Sequence, residues 1–196
     1  MIDYSTYDLD FSKFNLTPDQ FDQQSHIHGI GHTYRVMLHC LRLGILSNNI
    51  KDAKIAFFGA YIHDMARLHD GYCTIHGADS AKIKLPLYRD LFIRHGASDD
   101  NLDTIKQIVT RHSVSNEPPK EHLIYSTLAI LKDADALDRI RLGKHDLNPD
   151  FLRIGITHHS IPFGEDLFFA TNNNQVKSFS QMIDIANEID QLINMR

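Results

Sequence analysis

Apolar residues recur along this chain mostly at helical spacing, with no convincing run of alternating strand-like positions, and the pattern predicts an all-α, single-domain fold. Residues 1–16 break the pattern and read as an irregular, loosely docked arm. Thr17-Pro18-Asp19 joins an N-cap threonine to a first-turn proline and acid, predicting a short helix that stops near Ser25, before the Gly29 and Gly31 turn. The next helix is expected over about 32–46, with Val36, Leu38, Leu41, Leu43 and Ile45, and a third over about 50–65. His69-Asp70-Gly71-Tyr72 reads as a loop. A fourth helix covers about 76–95, bent at Pro86, because an internal proline loses a backbone hydrogen bond. Ser98-Asp99-Asp100 caps a helix that runs to His112, and helix resumes over about 121–142 after Asn116-Glu117-Pro118-Pro119. From Gly143 to Asn174 the periodicity fails. Asn148-Pro149, Ile161-Pro162, Gly164 and the asparagines after Thr171 predict loops and short turns. An amphipathic helix over about 178–195 closes the chain, as a core element or as a homodimer contact.

Composition narrows the function classes. The chain has 196 residues, 42% of them hydrophobic, enough for one sizeable core. A net charge of −5 with no block of Lys or Arg gives no footprint for nucleic acid or a membrane surface. No apolar stretch is long enough to span a bilayer, and Met1-Ile2-Asp3-Tyr4 lacks the basic and apolar regions of a secretion signal. Cys40 and Cys73 form no C-x-x-C pair, so a reduced, cytoplasmic protein is expected. The oddity is thirteen histidines, which points toward a metal or phosphate site.

The pair His63-Asp64 ends the apolar run Ile55-Ala56-Phe57-Phe58-Gly59-Ala60-Tyr61-Ile62. Carrying an imidazole and a carboxylate into a core is expensive unless something binds them, and a divalent cation binds both. His32, His63, Asp64 and Asp135, from three helices, would supply the mixed nitrogen and oxygen set that a hydrolytic cation needs. The neighbouring patterns lead elsewhere. Gly29-Ile30-Gly31 has no strand before it and no third glycine, so it is not a dinucleotide loop, and no H-E-x-x-H or C-x-x-C zinc signature occurs.

The order His32-x-x-Arg35-Val36, His63-Asp64, then Asp135 within Lys132-Asp133-Ala134-Asp135-Ala136-Leu137-Asp138 resembles the HD superfamily of metal-dependent phosphohydrolases, over about residues 26–142. That resemblance implies an all-helical domain and a divalent metal (Mn, Mg, Fe, Co, Ni or Zn) on His32, His63, Asp64 and Asp135. It also implies a small phosphorylated substrate of the nucleotide kind. Aligning Ala134-Asp135-Ala136-Leu137 with the family's A-D-x-L segment selects Asp135 over Asp133. His76 and His112 stand where two-metal branches of the family add histidines. They are expected either to hold a second cation or, the reading preferred at this point, to line the pocket as phosphate donors or the general acid. Arg67, one helical turn after Asp64, is expected to clamp a phosphate. Two alternatives follow from the same scaffold: a di-iron oxidoreductase, and a nucleotide sensor without turnover.

Several polar residues have plainer readings. Asp138 is expected to pair with Arg141 on an exposed helix face, and Asp133 to cap a helix or orient a ligand from behind. His28, four residues before His32 across a glycine turn, is within reach of the site by that spacing but is more simply a bystander. His39 is expected to be packed or exposed without a ligand role, and His158-His159 to face solvent.

Overall fold

Two antiparallel helices form the centre of the molecule: α1 (Ile30–Leu46) and α2 (Ile50–Ile62), joined by a tight turn through Asn49. The computed structural model describes residues 2–172 and 176–194. Gly44 permits the close approach of the pair, since a Cβ there would lie 2.1 Å from that of Ala53. Both helices are buried on nearly every side, as suits elements surrounded by others. Around them stand α3 (His76–Asp79), α4 (Leu85–Arg94), α5 (Asp99–His112), α6 (Tyr125–Leu137), α7 (Gly155–Thr171) and α8 (Phe179–Asn194). There is no strand among the described residues, so the all-α expectation holds, and no helix among them is long and apolar enough to cross a membrane.

The chain departs from its sequence pattern in five places. Residues 1–16 are not loosely docked: Tyr4, Tyr7, Phe14 and Leu16 are buried. Tyr7 donates its hydroxyl to the Leu41 carbonyl at 2.6 Å, and the Phe14 ring lies 4.9 Å from that of Phe57. Polar residues between the aromatics hide this in the sequence, because the arm meets the core through short 3-10 turns. The helix expected to reach Ser25 is only a 3-10 turn, Pro18–Gln20. Thr17 N–H donates to Gln20 Oε1 at 2.6 Å, and then the Asp22 amide leaves the helix path to bond the Met65 carbonyl at 2.9 Å.

The bend expected at Pro86 is taken up one turn earlier, where Ser80–Lys84 forms a π-helical turn between α3 and α4. Widening the helix there moves a carbonyl out of the path of the proline ring. The helix expected over 121–142 starts at Tyr125, leaving Leu123 96% exposed on the preceding turn, and ends as the 3-10 turn Arg139–Leu142.

The loop-rich reading of 143–174 is the largest error, because α7 occupies seventeen residues of it. Pro162 is tolerated within α7 because it faces solvent, where water can serve the carbonyl that its missing N–H leaves free. Gly164 is required by packing: a Cβ would sit 3.0 Å from the Leu137 carbonyl. The start of α7 is held from outside by Asp133, which is wholly buried. Its carboxylate accepts from the amides of Arg153 (3.0 Å) and Ile154 (2.9 Å) and from the Thr157 hydroxyl (2.8 Å). The capping role expected for Asp133 is therefore the one it has, on a helix the sequence did not announce. α8 buries Phe179, Met182, Ala186 and Ile189 as a core element.

Candidate metal centre

Five imidazoles and two carboxylates converge where the N-terminal half of α1, the end of α2, the start of α3, the end of α5 and the end of α6 meet. His32 projects from the first turn of α1. His63 and Asp64 occupy the turn that ends α2, three residues earlier than the helix end expected from the sequence. His32 Nε2 lies 3.1 Å from His63 Nε2, 3.5 Å from Asp64 Oδ2 and 3.4 Å from Asp135 Oδ1. Three of the residues selected from the sequence, His63, Asp64 and Asp135, thus lie within 3.5 Å of the fourth, His32. Asp133, the rejected alternative to Asp135, points away to α7.

Asp64 turns its other oxygen to a second group. Oδ1 is 3.1 Å from His76 Nε2 and 3.7 Å from His112 Nε2, and those two nitrogens are 3.0 Å apart. Gly77 makes this possible, because a Cβ there would stand 2.9 Å from His112 Nδ1. Arg67 lies 3.7 Å from Asp64 Oδ1, but its Nη1 is 3.0 and 3.1 Å from the two nitrogens of His76 and its Nη2 donates to the Gly71 carbonyl at 2.9 Å. His28, expected to be a bystander, belongs to the cluster. It is buried, and its Nδ1 is 3.0 Å from Asp64 Oδ2. Its spacing of four from His32 was the available signal.

The rings are oriented by a repeated device. Nδ1 of His63, His76 and His112 faces the carbonyl of Ala60 (2.7 Å), Cys73 (3.0 Å) and Val109 (2.6 Å) respectively, and Nδ1 of His32 faces Asp138 Oδ2 (2.7 Å). A carbonyl or carboxylate there requires the proton on Nδ1, which leaves the Nε2 lone pair aimed at the cluster. Two lone pairs 3.0–3.1 Å apart repel each other unless a proton or a cation sits between them. Nitrogens bound to one cation at about 2.1 Å lie roughly 3–3.5 Å from each other, so the donor set fits a divalent metal.

The protonation states agree. Burial, reinforced by the neighbouring imidazoles, pushes His63 down to about 3, so its lone pair stays free at neutral pH. Burial also lowers His76. Burial alone would raise Asp64, yet the imidazoles packed around it, His63 foremost, hold it well below the usual carboxylate range. Asp135 has 27% of its side chain exposed. Desolvation pushes it up, and Arg141, His32 and His63 bring it below its ordinary value.

Asp138 is the clearest correction to the sequence reading. It is not on an exposed face but wholly buried, bonded to His32 and gripped by Arg35 through Nε–Oδ1 and Nη2–Oδ2 (3.0 Å). Arg141 reaches it mainly through its backbone carbonyl, at 3.1 Å. His39 is buried without a ligand role, and His158 and His159 are exposed.

The HD domain family model matches residues 29–140, which carry every member of this cluster but His28. The chain belongs to the HD domain family. No curated protein and no solved structure matches it significantly. As an HD domain it falls in a superfamily of metal-dependent, hydrolase-type proteins, and its buried His and Asp groups are of the kind that hold a metal ion.

Proposed function

We propose that this HD domain protein is a phosphohydrolase that uses two divalent cations to cleave a phosphoester bond in a small phosphorylated metabolite of the nucleotide class. The observation that carries the reading is the division of Asp64, with Oδ2 toward His28, His32 and His63, beside Asp135 on the far side of His32, and Oδ1 toward His76 and His112. A carboxylate shared in this way is suited to bridging two cations. Bound divalent metal would acidify a water and polarise the phosphoryl group.

The remaining work belongs to the chain. His32, His63 and Asp135 would hold one cation and His76 and His112 the other, with Asp64 common to both. Assigning His76 and His112 as ligands takes them away from the proton-donor role preferred on sequence grounds, because both anchored Nδ1 atoms leave only the inward Nε2. Arg67, buried and donating to the Gly71 carbonyl, is likewise better placed to fix the Gly71 turn than to clamp a phosphate. Asp135 is the partly exposed member of the set, so substrate would arrive on its side. There Arg141, 3.4 Å from Asp135, supplies the cation that a phosphate needs.

The test is a metal-supplemented panel of nucleotides and simple phosphoesters, with Mn, Mg, Co, Ni, Fe and Zn each added to chelator-stripped protein. Release of phosphate or nucleoside, abolished by Asp64→Asn, is expected. The same six ligands also suit a di-iron oxidoreductase, which would instead consume oxygen with iron bound and release no phosphate. Saturable nucleotide binding without turnover under any metal would favour a sensor and end the hydrolase reading.

A further inference from the structure

The four imidazoles that present Nε2 to the cluster are not anchored alike. Three lean on backbone carbonyls, which no side-chain substitution removes. His32 alone among these four leans on a side chain, Asp138, at 2.7 Å. That carboxylate touches no other member of the cluster. It lies at the end of α6, has no exposed surface, and is clamped by Arg35 from one turn along α1. Arg35 is in turn held by the far end of the fold: its Nη1 is 3.3 Å from the Thr171 hydroxyl, and its guanidinium lies 5.1 Å from the centre of the Phe168 ring, both on α7.

We propose that Asp138 is a positioning residue that sets the metal affinity of the centre by fixing the tautomer and aim of His32, with Arg35 holding the carboxylate in register. The inference rests on reading the cluster as a metal centre. A carboxylate behind a ligand imidazole holds the proton on the distal nitrogen and increases the basicity of the one that binds, and losing such a partner typically weakens metal binding by about 10–100-fold.

The test uses the full chain, stripped of metal and titrated with Mn and with Zn by calorimetry or chelator competition, alongside nitrogen-15 spectra of the histidine rings without metal. Asp138→Asn keeps an acceptor for His32 but removes the charge, and a drop of about tenfold or more in affinity is expected. Asp138→Ala removes the acceptor as well, so His32 should lose its single Nδ1–H tautomer and affinity should fall further. Asp133→Asn is the control. It alters an equally buried carboxylate of α6 that serves α7, and should lower stability while leaving affinity and the His32 tautomer unchanged.

If Asp138→Ala fails to fold, Asp138→Asn alone decides. Affinity within twofold of the original, or an equal loss in Asp133→Asn, would overturn the proposal while leaving the metal centre intact. Failure of the unaltered chain to bind either metal would overturn both.

Discussion

His39 offers a prediction whose size can be worked from its surroundings. It lies seven residues after His32 on α1 with no exposed surface, its ring edge-on to Phe163 at 6.0 Å. Neither ring nitrogen has a hydrogen-bond partner among the described residues. Burial, with Arg42, Arg35 and His32 adding to it and Asp138 opposing, pushes its pKa down to about 3. In the unfolded chain the value is about 6.5. Above about pH 6.5 both states are neutral and the group has no effect on the pH dependence. Between about 6.5 and 3 the unfolded chain takes up a proton that the folded chain refuses, so stability falls as the pH falls, by about 1.4 kcal/mol per unit. From pH 7 to pH 5 this amounts to roughly 2 kcal/mol. His39→Leu fills a similar space without polar atoms and abolishes that term. At pH 7 it should stabilise the fold by about 1–3 kcal/mol, the desolvation cost of an unsatisfied buried group, and its advantage should grow by roughly 2 kcal/mol at pH 5. Urea unfolding of both proteins with chelator present measures the difference, and His63, common to both, cancels. A gap that stays constant between pH 7 and pH 5, or a leucine variant less stable at pH 7, would refute the reasoning.

Two further substitutions separate the parts of the site. Gly77→Ala would drive a methyl to 2.4 Å from the Val109 carbonyl that orients His112. A loss of about 1–3 kcal/mol is expected from overpacking, with bound metal falling from two ions per chain to one by elemental analysis; unchanged stoichiometry would contradict the two-cation reading. Asp133→Ala unties the start of α7 by leaving the Ile154 amide and the Thr157 hydroxyl without their acceptor, while Arg153 keeps Glu117, for a loss of about 1–3 kcal/mol. Thermal or urea unfolding reads that loss, and a change below about 1 kcal/mol, the scale of an exposed pair, would show the contact to be unimportant.

The sequence disclosed the framework where local chemistry and tertiary packing agree. Ser98 donates and accepts as a cap for α5, as its position before two aspartates implied. The run ending in His63-Asp64 is buried as its polarity required. What stayed hidden depended on distant partners. α7 contains a proline and two exposed histidines, and its N-terminal cap is Asp133, about twenty residues earlier. Asp138 has Arg141 at helical spacing, so a local pair was the natural reading, and only the fold shows that Arg35 and His32 claim it first. His28 was visible as a spacing, but its burial comes from a chain path fixed by hydrogen bonds to the Ser25 hydroxyl, which itself donates to Asp70.

The tie from Thr171 through Arg35 has a consequence for how this protein is handled. Its recognisable segment and its foldable unit are different lengths. Cutting the chain to residues 29–140 would keep every cluster member except His28. It would also strip Phe14 and Phe179 from the rings of Phe57 and leave Asp133 with no amides to hold. Arg35 would lose the brace on its far side. Chimaeras that graft this segment onto another helical scaffold should therefore carry the amino-terminal arm and the last two helices with it.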